Sequence, residues 1–285
     1  MHFLVRTGLE TLRTNGLHIT GPGEELHVPK VNCHSSTNEI GACDLVVIAI
    51  KTTANAVLPQ LIAPLVGTDT RLMTLQNGLG NEELLAGLVD ARRVLAGLCF
   101  ICLRRTSPGV VHRYDYGHIS IGEYSGSPTQ GTDDLANEFQ RCGIKCAVVT
   151  NLMLERWRKL VWNIPFNGLS IVAGGIDTAG LLADADLRDS VGQLMDEVIA
   201  GANQCGFPLE TAAAEEQMKR TATMGGYKPS TLLDFEAGKP LEIEAIWGEP
   251  LRRAEAAGAA MPRLRQLTSL LKSLDRLQQR RSARL

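Results

Sequence analysis

No run of 18 apolar residues occurs in the chain, and its N-terminus lacks a basic segment followed by an apolar core. A spanning helix needs the first and a secretory leader the second, so neither a membrane protein nor a secreted one is expected. Excess positive charge is also missing. Twenty-nine Lys and Arg against 31 Asp and Glu leave a net charge of -2, without the clustered basic patch of a nucleic-acid surface. The seven cysteines form no regular framework, and their odd number fits a reducing cytoplasm. Cys99 and Cys102 are spaced C-x-x-C inside the apolar run VLAGLCFICL, with no second pair at zinc-finger distance, and read as packed strand side chains. The six histidines make no H-x-x-x-H or comparable sequence pair, so no metal site is expected. Internal repeats and low-complexity segments are absent too.

What is present is a chain of 285 residues, longer than the roughly 100–150 of a common single domain, so two domains are expected. In the first half the apolar runs HFLV, DLVVIAI, RLMTLQ and RRVLAGLCFICL alternate with polar turns and helical stretches at Ala54–Leu65 and Glu82–Val89. Near-continuous Val, Ile and Leu between helices is the pattern of a parallel sheet covered on both faces. VVHRYDYGHISIGEY reads as an antiparallel pair turning at Asp115–Gly117, followed by a helix at Asp133–Arg141 and the strand IKCAVVT. From Leu152 onward the period is helical, broken at Gly206-Phe-Pro208 and Gly225-Gly226. A helix is expected to start at Pro240 and end at Gly258, and the basic stretch LKSLDRLQQRRSARL reads as a fraying surface helix. The expected fold is α/β: a Rossmann-like, mostly parallel sheet domain over 1–150, then an all-helical domain over 151–285.

Three apolar runs stop at polar residues: HFLV at Arg6, DLVVIAI at Lys51 and MTLQ at Asn77-Gly78. Ligands of open parallel sheets lie across the carboxyl ends of the strands, so the three project toward one crevice if the runs are neighbours. An acidic residue at the end of the second strand accepts from the ribose of NAD, whereas an arginine pairs with a 2′-phosphate, so Arg6 favours NADP(H). Asn77-Gly78-Leu79-Gly80 imitates a dinucleotide turn but carries Glu83 at the third glycine position. Its glycines are expected to let the backbone approach the middle or nicotinamide end of the cofactor.

In LERWRKLVWNIPFNGLSIVAG, Lys159, Asn163 and Asn167 stand at i, i+4 and i+8 on one helix face among apolar neighbours. Buried amides demand partners, so the stripe forms either an internal network or a wall facing a polar ligand. Pro165 is expected to kink this helix. Ser230 supplies a hydroxyl and Glu242 a carboxylate near a helix start, where the macrodipole also favours an acid. Asp234 and Glu244 read as structural.

Lys51, Gln76-Asn77-Gly78, Trp157-Arg-Lys159-Leu with Asn163 and Asn167, and Pro229-Ser230 with Glu242-Ile243 twelve residues on resemble, in order and spacing, the ketopantoate reductase (2-dehydropantoate 2-reductase) family. The resemblance runs from the start of the chain to about Pro262. It implies a Rossmann domain that binds NADPH and a helical substrate and dimerisation domain that closes over a small 2-keto acid, and it allows a homodimer. By position it makes Lys159 the general acid and Glu242 a catalytic carboxylate contacting substrate or cofactor. Asn77, Asn163, Asn167 and Ser230 become substrate ligands, and Arg6, Lys51, Asn77, Gly78 and Glu242 cofactor ligands. The expected activity is NADPH-dependent reduction of ketopantoate to pantoate on the cytoplasmic route to pantothenate and coenzyme A.

Such proteins begin with a strand, a G-x-G-x-x-G turn and a helix, about 25–30 residues that are not found here before Arg6. The expectation is therefore an N-terminally incomplete Rossmann unit, through truncation or a misassigned start, with two unpaired strand edges. Two alternatives remain at this level. One is a reductase of a related 2-keto acid, its pocket reshaped by Trp162, Pro165 and Phe166. The other is a non-catalytic remnant serving only as a binding or dimerisation module.

Overall fold

The computed structural model describes residues 1–23 and 25–282. In chain order its elements are β1 (Phe3–Leu4), α1 (Leu9–Asn15), β2 (Leu17–Thr20), β3 (Leu26–Val28), β4 (Cys33–His34), β5 (Cys43–Ile48), α2 (Leu58–Ile62), β6 (Val66–Thr74), α3 (Asn81–Ala86), β7 (Val94–Ser107), β8 (Val110–Glu123), α4 (Gln130–Arg141) and β9 (Lys145–Val148). Helices follow: α5 (Leu152–Val172), α6 (Thr178–Ala183), α7 (Ala185–Gln204), α8 (Ala212–Ala222), α9 (Ser230–Glu236), α10 (Glu249–Ala256) and α11 (Pro262–Ser282). The expected fold class is thus observed. Two units separate by their internal contacts: one of Met1–Ile50, Ala54–Gln76 and Glu82–Thr150, the other of Lys51–Thr53, Asn77–Asn81 and Asn151–Leu285.

The first unit holds a seven-stranded sheet ordered β3-β2-β8-β7-β6-β5, with β9 on the free stretch of β8. Pairs β5–β6, β6–β7, β2–β8 and β8–β9 are parallel, while β2–β3 and β7–β8 are antiparallel. Apolar alternation builds both faces. Ile48, Leu72, Leu85 and Val94 pack with α2 on one side, and Met73, Leu95, Ile119, Ile121 and Ala136 of α4 on the other. Gln76 Nε2 donates to Ile50 O (2.9 Å) and to Asn55 Oδ1 (2.8 Å), tying the chain after β6 to the chain after β5.

Four expectations are corrected here. VVHRYDYGHISIGEY is one strand, not a pair: β8 runs along β7, and the turn is Pro108-Gly109, where Ser107 faces Val110. Gly117, read as a turn, is a bulge, because Phe100 faces His118 and Ile101 already faces Tyr116, leaving Gly117 unpaired at φ +144°. HFLV shortens to the two residues of β1, which pairs only with β4, so Arg6 and Lys51 do not end hydrogen-bonded neighbours. Ala54–Leu65 becomes a 3-10 turn, the short α2 and a second 3-10 turn, since Pro59 and Pro64 donate no backbone hydrogen bond.

The helical unit is organised by α5, whose Trp157, Leu160, Val161, Ile164 and Phe166 pack with Leu194, Met195 and Val198 of α7 and Leu264, Leu267 and Leu271 of α11. The helix runs unbroken through the buried Pro165. After Pro240 the expected helix start is displaced: Leu241 N donates to Asp275 Oδ1 (3.1 Å), and helical backbone begins at Ile243 as a π-turn over Glu244–Gly248. The stretch LKSLDRLQQRRSARL continues α11 to Ser282. Leu271 is in the core and Leu274 packs against it, most of the other side chains are partly or fully exposed, and Gln278 Nε2 donates to Phe235 O (2.7 Å); residues 283–285 lie outside those described. No helix among the described residues is long and apolar enough to cross a membrane.

Pro262 opens α11, and the buried Glu197 of α7 caps it, accepting from Leu264 N (2.8 Å) and Arg263 N (3.2 Å). A carboxylate on two orphan amides at the positive end of a helix is a strong cap. Glu197→Ala is expected to cost about 1–2 kcal/mol, read as a lowered urea midpoint by far-UV circular dichroism, with Glu197→Gln intermediate.

Candidate active site

Lys51 is three residues beyond the end of β5 and belongs, by its contacts, to the helical unit. Its Nζ lies 2.8 Å from Asp234 Oδ2 on α9 and 3.1 Å from Glu242 Oε2. Glu242 is buried, with only 6% of its side chain exposed, and its other oxygen accepts from Thr52 N at 2.8 Å. Both oxygens of a buried carboxylate are therefore partnered, which such burial demands. Burial alone would lower the Lys51 pKa, but the charges of Glu242 and Asp234 outweigh it and the net shift is upward. The stabilisation this gives is complete below the ordinary value of 10.5 and fades as pH rises through the raised folded value, so Lys51 stays charged at neutral pH.

A second cationic group stands on α5. Lys159, partly buried, donates to Asn77 Oδ1 at 2.9 Å. The Asn77 loop is itself clamped: Asn81 Nδ2 donates to Asn77 O (3.0 Å), and Leu79 N donates to Ala245 O (2.9 Å). Ala245 belongs to the π-turn, and π-turns are frequent where helices serve sites. Gly78 adopts φ +86°, and a Cβ there would stand 2.2 Å from Ala245 O. One close approach that this glycine permits is thus to a carbonyl of the protein itself. The stretch Glu242–Ala245 therefore serves both lysines, one through a carboxylate and the other through the backbone that seats Asn77.

The stripe on α5 divides in its bonding. Asn163 is buried, 7% exposed, and its amide makes no hydrogen bond with another described residue. Asn167 is fully engaged: Nδ2 donates to Asn163 O (3.0 Å) and Oδ1 accepts from Thr231 N (3.2 Å). It therefore holds the first turn of α9, where the exposed Ser230 hydroxyl makes no hydrogen bond among the described residues. Arg6, in the first unit, is exposed and likewise has no hydrogen-bond or ion-pair partner there.

The helical unit thus contains Lys51, Asn77, Gly78, Lys159, Asn163, Asn167, Ser230 and Glu242, and Arg6 belongs to the other unit. Asp234, read as structural, is a direct partner of Lys51 and stands one turn after Ser230 on α9. Glu244, in contrast, pairs with Lys272 of α11 at 2.7 Å. The contributions of Thr52 N and Ala245 O carry no side-chain signature. Lys51 is already balanced by Asp234 and Glu242, so the cation suited to stabilise and protonate negative charge on oxygen is Lys159, beside neutral amides and a hydroxyl.

The chain matches the family Ketopantoate reductase PanE/ApbA over residues 1–126 and Ketopantoate reductase PanE/ApbA C terminal over 151–275. It is 38% identical to a 2-dehydropantoate 2-reductase of Nostoc sp., across 96% of this chain and 88% of that one. A 2-dehydropantoate 2-reductase structure from Geobacter metallireducens matches with a TM-score of 0.93 and 41% identity, covering 95% of this chain and 91% of the other. D-mandelate dehydrogenase, solved with NADH and anilino(oxo)acetate, shares the fold at a TM-score of 0.86, with 20% identity over 97% of this chain and 90% of the other. The chain belongs to the ketopantoate reductase family of oxidoreductases.

Gly78→Ala is expected to cost at least about 1–3 kcal/mol from the left-handed backbone alone, because the Cβ also meets the Ala245 carbonyl. A fall in the thermal midpoint of that size, with loss of activity, is the measurement that checks it.

Proposed function

We propose that this member of the ketopantoate reductase family reduces 2-dehydropantoate to pantoate with NADPH. The observation that carries the reading is Lys159, a helix lysine seated by Asn77 Oδ1 on the same face as the unpartnered amide of Asn163. Such an ammonium is suited to hydrogen-bond a keto oxygen, stabilise the negative charge that develops there and deliver a proton to it. Asn163 and Ser230 offer an amide and a hydroxyl to the substrate's polar groups. Asn167 acts on Ser230 through the amide of Thr231. Glu242 and Asp234 balance the charge of Lys51 and fix its position, which leaves it a hydrogen-bond donor to the cofactor.

Bound NADPH supplies the hydride. Arg6 fits its 2′-phosphate end, being exposed and without a competing carboxylate partner, and Lys51, Asn77 and Gly78 are the further residues assigned to it. A cytoplasmic location accords with seven free cysteines. A pocket remodelled for another 2-keto acid draws no support from Trp162, Pro165 and Phe166. Phe166 and Pro165 are buried, and Trp162 stacks on Phe166 and donates to Thr221 Oγ1 (2.9 Å), so all three are engaged in packing.

Lys159→Ala is expected to lower ketopantoate turnover by roughly 10²–10⁴-fold while leaving the circular dichroism spectrum unchanged. Wild-type rates in that variant overturn the assignment and favour a non-catalytic module. Arg6→Ala is expected to weaken NADPH by about 10–100-fold, the scale of a charged hydrogen bond, and NADH little; equal losses in a fluorescence titration would remove the 2′-phosphate role.

A further inference from the structure

The Ala245 carbonyl that receives Leu79 N is left without a helical partner by two separate features of its own helix. In an α-helix it would take the amide of Glu249, four residues on. Just before it the backbone keeps that register, since Ile246 N donates to Glu242 O at 3.1 Å. The π-turn then shifts the pattern by one, and Glu249 N donates to Glu244 O instead. In the π register the donor to Ala245 O would be the amide of residue 250, five residues on. That residue is Pro250, which has no N–H. Ala245 is 8% exposed and Leu79 2%. A carbonyl and an amide so withdrawn from water both need partners, and the 2.9 Å bond from Leu79 N to Ala245 O satisfies the two at once.

We infer that Pro250, buried in the first turn of α10, is a positioning residue for Lys159 that acts through the Ala245 carbonyl. Pro250 withholds an amide from Ala245 O, and Ala245 O holds Leu79 N. The loop so held presents Asn77 Oδ1 to Lys159 Nζ at 2.9 Å. Any other residue at 250 brings an N–H to compete for this carbonyl in the π register. It also lets the turn relax to the α register, where the Glu249 amide returns to Ala245 O. Both routes act on the same acceptor. A carbonyl has two lone pairs, so competition weakens the Leu79 bond without abolishing it. The positioning role rests on the proposed function of Lys159, whereas the Leu79–Ala245 bond does not depend on the reaction.

The test compares Pro250→Ala and Pro250→Val with the control Pro262→Ala, which removes a proline from the first turn of α11. Amide exchange is followed residue by residue by NMR. The Leu79 amide is expected to exchange about three- to tenfold faster in both Pro250 variants, the scale of one hydrogen bond, and as in the wild type in Pro262→Ala. Amides in the middle of α5 and α7 should be unchanged in all three. Ketopantoate kcat with NADPH is expected to fall by a similar factor in both Pro250 variants. The fall should vanish on an Asn77→Ala background, where the loop no longer reaches Lys159. Unchanged Leu79 exchange overturns the inference. A kcat loss of equal size in both backgrounds overturns it too, as the mark of a merely structural role. So does a loss confined to Pro250→Ala, because valine keeps a three-carbon apolar side chain and such a loss reports a packing cavity. A wild-type chain that exchanges as expected but reduces no ketopantoate overturns the proposed function, and with it the role of Lys159, while the hold of Pro250 on the loop stands.

Discussion

The helical unit turns on one carboxylate that would be intolerable where it stands without its partners. Glu242 is almost wholly withdrawn from water, and an isolated buried charge costs several kcal/mol even after relaxation. The Lys51 ammonium and the Thr52 amide satisfy one oxygen each. That requirement fixes the chain just after β5 against the start of the π-turn. Three residues on, Ala245 O receives Leu79 N and seats the Asn77 loop. Lys51, Asn77 and, through Asn77, Lys159 are thereby held in relation to a single short stretch of backbone. Removing Lys51 would leave Glu242 buried with one oxygen unpaired, whereas Lys51 without Glu242 would keep Asp234, so the carboxylate depends on the pair more than the lysine does.

The long helix α5 solves a related problem. It carries a polar stripe through the centre of an apolar core and must partner every buried amide. Lys159 finds Asn77, Asn167 spends both ends of its amide on Asn163 O and Thr231 N, and Asn163 is left with its amide unused by neighbouring residues. That amide, on a largely buried residue, has no partner among the described residues and is not fully withdrawn from solvent, so it is placed to meet a ligand. It is flanked by the lysine on one turn and by the asparagine that steadies α9 on the next.

Much of this was legible from residue order. Val, Ile and Leu runs announced the buried sheet, and the i, i+4, i+8 spacing put Lys159, Asn163 and Asn167 on one face. Where reading failed, a local cue had two outcomes and distant packing chose between them. Gly117 is as good a bulge as a turn, and the length of β7 decided for the bulge. Pro240 suits a helix start, but Asp275, thirty-five residues away, claims the Leu241 amide and moves the start onward. The basic terminal stretch is largely superficial as read, but Leu271, a single apolar residue among polar ones, ties its start to the core.

The sequence by itself determined the two-part α/β architecture, the family and the residue types of the site, because periodicity and motif spacing are properties of neighbours along the chain. Only the tertiary structure decided that Asp234 pairs with Lys51, that Gly78 makes room for a carbonyl of the π-turn, and that Asn167 is occupied. Each of those facts joins segments whose separation in sequence carries no information about their distance in space. Hydrogen bonding and close packing, which act over a few ångströms, settle such matters only once the chain has brought the partners together.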